Sequence, residues 1–185
     1  MNIVPTRLPG VVLIEPRIFR DARGYFFEVW SQERYDRAGL PTGFLQDNLS
    51  TSAPGVLRGL HLQAPEVQAK IVWVVAGSVF DVAVDVRTGS PTFGQWVGAT
   101  LLAADHRQLV IPAGFAHGFV VTDGPATVCY KVNAPYTPGD ELTVAWNDPD
   151  LGIDWPEADP VLSPKDAEGL RLRDIPPGRL PVYAG

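Results

Sequence analysis

From residue 67 to residue 132 the chain is a succession of short apolar runs, at 71–76, 79–86, 96–102, 108–111, 119–122 and 127–132. They are cut by Gly77, Gly89-Ser90-Pro91, Pro112-Ala113-Gly114 and Gly124-Pro125. Runs this short, bounded by turn residues and without a helical period, predict antiparallel strands closed into a sandwich or barrel. With 185 residues and 45% apolar content, the chain can build a sizeable core. No boundary, repeat or low-complexity tract divides it, so residues 1–185 are expected to form a single domain. Within 78–86, Phe80, Val82, Val84 and Val86 share one face and Asp81 and Asp85 the other, which reads as ordinary strand alternation.

Upstream, 10–16 is the first credible strand. Arg17, Arg20 and Arg23 follow, interleaved with Ile18 and Phe19, and lead into 24–30, where alternation puts Glu28 on the face of Phe26 and Trp30. The arginines invite a diphosphate, because a planar guanidinium fork matches phosphate oxygens. Glu28 alone fits equally well as a solvated residue on an amphipathic edge strand. Residues 31–40 predict a short helix with Ser31 at its N-cap and Gly39 as its stop. Residues 44–50 predict a strand on which Gln46, Asn48 and Ser50 share a face that is either wet or lines a polar pocket. After a proline-rich loop at 133–141 come a strand at 143–146 and a helical turn near Ser163. The last residues, rich in proline and glycine, are expected on the surface.

Formal net charge is −6, which argues against a nucleic-acid partner and leaves a small anionic ligand open. The single Cys129 lies in an apolar stretch and has no internal disulfide partner, which fits an intracellular setting. No cationic-then-apolar leader and no apolar run of membrane-spanning length is present, so a soluble, cytoplasmic protein with no membrane partner is expected.

Two segments carry chemistry. Residues 58–77 hold His61, Gln63 and Lys70, and Pro112-Ala113-Gly114-Phe115-Ala116-His117 answers them. Together they resemble the two halves of the cupin signature, with His61 and Gln63 in place of its His-x-His pair and Lys70 in place of its Glu. An ammonium among the ligands repels a divalent ion and an amide is a weak ligand, so no metal is expected. More of the chain extends the likeness. Arg58-Gly59-Leu60-His61, Gln68-Ala69-Lys70, 79–85, Ser90-Pro91-Thr92-Phe93-Gly94, 111–119, Tyr130-Lys131, Trp146-Asn147-Asp148-Pro149 and 162–166 resemble the dTDP-4-dehydrorhamnose 3,5-epimerase family, in that family's order.

The resemblance implies an all-β cupin jelly-roll barrel with short peripheral helices, dimeric through exchanged N-terminal strands and needing no cofactor. It implies a dTDP-4-keto-6-deoxyhexose substrate whose C3 and C5 are inverted. Hydrogens beside a ketone become removable when the enolate is stabilised, so such a site needs a base, an electrophile and an acid on the opposite ring face. By resemblance His61 is the base, Lys70 holds the charge on the ketone oxygen, Tyr130 is the acid, and Asp166 orients His61. His117 is a substrate contact. Arg23, Glu28, Gln46, Asp47, Asn48, Arg58, Glu141 and Lys165 match nucleotide or diphosphate contacts, and Tyr136 matches the aromatic residue that stacks on thymine.

Leu62, Ala134 and Leu142 depart from the family, which usually has an aromatic, an Asp or Asn, and often Arg or Ser at these positions. They leave open a single-centre epimerase of another deoxysugar pathway. A sugar 3,4-ketoisomerase, a metal-dependent cupin and a non-catalytic sugar-nucleotide-binding cupin are the other readings. Lys70 argues against the metal enzyme, and the presence of both His61 and Tyr130 against the binding module.

Overall fold

The computed structural model describes residues 1–176 and 178–184. The elements are β1 (Asn2–Pro5), β2 (Val12–Glu15), β3 (Phe19–Asp21), β4 (Gly24–Phe26), α1 (Gln32–Arg37), β5 (Gln46–Ser52), β6 (Leu57–Gln63), β7 (Lys70–Asp85), β8 (Trp96–Leu102), β9 (Gln108–Ile111), β10 (Phe115–Val132), β11 (Glu141–Thr143) and α2 (Pro164–Ala167). A 3-10 turn follows at Leu172–Asp174. The architecture is all-β with short peripheral helices, as the sequence predicts.

The runs expected as separate strands on either side of Gly77 are one strand, β7, and those on either side of Gly124-Pro125 are one strand, β10. The two pair along their length, and each changes partners at its glycine. The first half of β7 pairs with β9 and its second half with β8. In β10 the first half pairs with β6 and the second with β5. One layer therefore runs β1, β2, β9, β7, β10, β5, and the other runs β8, β7, β10, β6, β11. Two antiparallel layers joined by strands that switch between them make a jelly roll. Gly77 permits the switch: its φ is +71°, and a Cβ there would lie 2.6 Å from the Asp123 carbonyl oxygen.

The bend also exchanges the faces of β7. Before Gly77, Val72 and Val74 point between the layers; after it, Val79 and Ala83 do. Asp81 shares the parity of Val79 and Ala83, so it points inward and is fully buried. Val82, Val84 and Val86 pack outside the layer against Leu151, Leu172 and Ile175. Neither face of the 78–86 segment is solvated, so alternation there does not separate inside from outside. Asp85 is held by Arg87, Ser90 and Thr92, a structural knot that brings its carboxyl down to about 2 although burial pushes it up.

Three other expectations change. The strand anticipated at 24–30 ends at Phe26, because β4 has only β3 to pair with. Phe27, just beyond it, joins Tyr25 of β4 in packing on His106, and Trp30 packs on Tyr35 and Phe44. Glu28 thus leaves the strand and bonds Arg34 at 3.4 Å. The strand expected at 143–146 is Glu141–Thr143. At the C-terminus, buried Leu172 and Ile175 make the tail part of a core and not only surface; Pro177 and Gly185 lie outside the described residues. Ser31 precedes α1 as predicted but makes no capping bond, and Gly39, with φ +67°, follows the helix.

Candidate active site

Strand alternation decides which side chains reach the interior. On β6, Leu60 and Leu62 pack outward into the second core, so His61 and Gln63 point inward. On β5, Gln46, Asn48 and Ser50 are half-buried, and Asp47, Leu49 and Thr51 are exposed. Lys70 shares the face of Val72, and Tyr130 that of Val128. These inward residues, Gln63 excepted, enclose a cavity of about 410 Å³. His61, Lys70, Tyr130, Gln46, Asn48, Arg58, His117, Tyr136 and Glu141, all expected from the sequence, line it. Ser50, which alternation puts on the face of Gln46 and Asn48, lines it too, with Gln68, Phe119 and Val132. The Ser50 hydroxyl oxygen is buried without a hydrogen-bond partner.

His61 is hydrogen-bonded through Nε2 to Asp166 Oδ1 at 2.5 Å. An ionised carboxylate only accepts, so Nε2 carries a proton, and in the neutral imidazole Nδ1 is the nitrogen that keeps its lone pair. Nδ1 lies 3.9 Å from Glu141 Oε1. Asp166 is delivered by α2, where Ser163 Oγ accepts the Asp166 N–H and donates to its Oδ2 at 2.8 Å. Burial pushes the Asp166 carboxyl up, but the bonds from His61, Ser163 and the Gly59 N–H hold it below its ordinary value. Glu141 also pairs with Lys165 and accepts from the Tyr136 hydroxyl at 3.3 Å.

Lys70 is buried, with Nζ donating to the His61 carbonyl at 3.4 Å. Burial brings its ammonium down to about 8, against the pull of Asp81 and Glu141 and with a smaller push from Lys165. It remains largely a cation at neutral pH. Tyr130 is raised, first by burial and then by Glu141, with Arg58 opposing, so its phenol keeps its proton. His61 belongs to one layer and Tyr130, on the second half of β10, to the other. An imidazole and a phenol therefore reach the cavity from different walls.

Five expected residues do not line this cavity; two of them, Asp166 and Lys165, reach it only through His61 and Glu141. Arg23 is exposed at the tip of the β3–β4 hairpin and pairs with Asp21 at 2.6 Å. Glu28 pairs with Arg34, as described. Asp47 faces outward on β5 and pairs with Lys131 at 2.7 Å, because it alternates with Gln46 and Asn48. Conversely, alternation hid Asp81, which accepts from His117 Nε2 at 2.9 and 3.0 Å. The signal for it was Gly77, whose bend inverts the faces. Among the described residues, no group of three His, Cys, Asp or Glu side chains is arranged to hold a metal ion.

The family model described as dTDP-4-dehydrorhamnose 3,5-epimerase matches residues 5–174. The chain belongs to that family. It is 54% identical over 176 residues to the dTDP-4-dehydrorhamnose 3,5-epimerase of Pseudomonas aeruginosa, covering 94% of this chain and 97% of that protein. The Legionella pneumophila dTDP-6-deoxy-D-glucose-3,5-epimerase, solved in complex with dTDP-4-keto-L-rhamnose, superposes with a TM-score of 0.96 at 48% identity, over 100% of this chain and 99% of that one. A relative from Streptomyces niveus is named dTDP-4-dehydrorhamnose 3-epimerase and is 42% identical over 100% of this chain and 90% of its own length.

Within the epimerase family the departures at Leu62 and Leu142 now have a place. Both belong to the second core, behind β6 and β11, and neither lines the cavity. They therefore carry no information about how a sugar is held. Ala134 presents its carbonyl to Gln68 at 2.9 Å.

Proposed function

We propose that this chain is a dTDP-4-dehydrorhamnose 3,5-epimerase, a single domain that inverts C3 and C5 of dTDP-4-keto-6-deoxy-D-glucose without a metal or other cofactor. The observation that carries the mechanism is the convergence of His61–Asp166, Lys70 and Tyr130 on one cavity. His61 Nδ1 takes the proton from the carbon beside the ketone, and the C–H electron pair moves into the ring as an enolate. The buried Lys70 ammonium holds the enolate oxygen, where low dielectric strengthens the attraction. Tyr130 returns a proton to the opposite face, and the phenolate and imidazolium then reset through solvent. Repeating the cycle at the second carbon completes the conversion.

His117 binds a sugar hydroxyl in this scheme, and Gln46, Asn48, Arg58, Tyr136, Glu141 and Lys165 receive the nucleotide diphosphate, with Tyr136 stacked on the base. Arg23 and Glu28 retain their role only if a second copy of the chain supplies them. The β3–β4 hairpin supports this, since it holds Arg23 away from its own cavity and exposes Phe19, Tyr25 and Phe26. We propose a homodimer in which each hairpin reaches the other copy's cavity. Refolded mixtures of R23A and H61A chains then regain activity that neither has alone; no recovery would remove the exchange. Asp47, on the outer face, is dropped as a direct contact.

Among the described residues no helix is long and apolar enough to cross a membrane. The cytoplasmic setting expected from the sequence is retained with this proposal. The Streptomyces niveus relative keeps a single-centre epimerase as the second reading. Incubation with dTDP-4-keto-6-deoxyglucose in deuterium oxide, followed by NMR with and without chelator, tests both. Deuterium at C3 and C5 in both conditions supports the 3,5-epimerase; deuterium at one carbon supports the second reading. No exchange would refute both.

A further inference from the structure

Gln63 occupies the second position of the cupin His-x-His pair, yet its side chain does not line the cavity. It is 4% exposed, and both ends of its amide are hydrogen-bonded. Nε2 donates to the Glu66 carbonyl at 3.0 Å and to the Pro135 carbonyl at 3.1 Å, and Oε1 accepts the Thr137 N–H at 2.9 Å. The amide orientation follows from these partners, because reversing it would set oxygen against two carbonyls and NH₂ against an N–H.

Pro135 and Thr137 are the two neighbours of Tyr136. One buried amide thus grips the peptide before Tyr136 and the peptide after it. Two other glutamines add to the hold: Gln46 Oε1 accepts the Tyr136 N–H at 3.4 Å, and Gln68 donates to the Ala134 carbonyl at 2.9 Å. Tyr136 itself is exposed, on an irregular loop with no strand to fix it. An aromatic platform on such a loop binds well only if its backbone is ordered before the ligand arrives.

We propose that Gln63 is a positioning residue for nucleotide binding: it fixes the backbone on both sides of Tyr136 so that the ring stands ready to stack on the base. The position that holds a metal ligand in other cupins is here turned to binding the far end of the substrate. This rests on the reading of Tyr136 as the stacking residue.

The test is a double-mutant cycle on dTDP affinity by calorimetry, with steady-state kinetics on the same proteins. Tyr136→Ala is expected to weaken dTDP about tenfold, from the usual value of base stacking. Gln63→Glu, which replaces both donors with carboxylate oxygens, is expected to raise Kd and KM about fivefold to tenfold while kcat changes by less than about threefold. The variant carrying both changes is expected to bind no more weakly than Tyr136→Ala alone, because Gln63 acts through that ring. Gln63→Met, of similar shape and without a buried charge, repeats the cycle if Gln63→Glu does not fold. Additive losses, or a loss confined to kcat, would overturn the proposal. So would unchanged affinity in both Gln63 variants beside weakened affinity in Tyr136→Ala. Unchanged affinity in Tyr136→Ala would overturn the stacking reading, and this proposal with it.

Discussion

Two histidine–aspartate pairs face the same cavity from neighbouring strands. His61 and His117 are register partners across β6 and β10, and each gives Nε2 to a carboxylate. Their surroundings differ. His61 keeps 26% of its side chain exposed and has a second carboxylate, Glu141, near its free nitrogen. His117 is 8% exposed, and its partner Asp81 is fully buried within the sheet. Burial lowers the His117 pKa against the opposing pull of Asp81, with Lys70 and His61 adding to the lowering. An imidazole that must take a substrate proton needs surroundings that accept the resulting cation. His61 has them; His117 is held neutral, with an Nδ1 lone pair suited to accept a hydroxyl hydrogen. The same two residue types thus stand in two different environments, and in the proposed scheme burial is what makes one the base and the other a binding group.

Removing each histidine tests this contrast most severely. His61→Ala is expected to lower kcat about 10³-fold or more, with deuterium exchange lost and dTDP binding kept. His117→Asn is expected to act mainly on KM, by about tenfold. Equal collapse of exchange in both variants, measured by NMR, would end the distinction. The aspartates give the next contrast. Asp166→Asn presents an amide where His61 needs an acceptor, and kcat is expected to fall about 10²-fold with little change in Tm. Asp81→Asn leaves a buried polar contact mismatched, so its first effect is on stability, about 1–3 kcal/mol by thermal or urea melting. A fall in kcat greater than that of Asp166→Asn would reverse the assignment.

Tyr130 sharpens the contrast from the other wall. Tyr130→Phe is expected to leave proton abstraction within about tenfold of the parent while stopping inversion, since the donor alone is missing. The readout is deuterium entry set against product formation. Equal loss of both would make Tyr130 a packing residue.

These assignments were legible to different degrees in the sequence. Short strands, turn residues and the His61, Lys70 and Tyr130 segments are local signals, and the fold brings them together as expected. Asp166 was legible only through resemblance, because its bond to His61 joins residues far apart in the chain. Asp81 looked like the polar side of a strand, since alternation fixes which residues share a face but not which face is inside; the bend at Gly77 decided that. Asp47 failed for the complementary reason, sitting on the wrong side of β5 from Gln46 and Asn48. Arg23 belongs to a hairpin whose position a single chain does not explain, and Glu28 to the segment that follows it. Gln63 shows in the sequence only that a metal ligand of other cupins is missing, and the loop folded over it gives the residue its partners.

Lys70 supplies the smallest effect and the one that needs its sign worked out. Burial brings its ammonium down from the ordinary lysine value of 10.5 to about 8. The mechanism needs the cation, so kcat should decline above that pH, by about tenfold for each further unit. Tyr130 cannot produce this limb, because its pKa moves up from 10.0. Unfolding cannot produce it through Lys70 either. Between about 8 and 10.5 the unfolded chain binds more protons at this lysine than the folded one, so the lysine's contribution to stability rises with pH across that window. Activity and this share of stability therefore run in opposite directions. Asp81→Asn removes an anion that favours the ammonium and should move the limb to lower pH, whereas Asp166→Asn should leave it in place. A kcat profile flat to pH 10, or one shifted equally by both aspartate variants, would take the charge of Lys70 out of the chemical step and Asp81 out of its control.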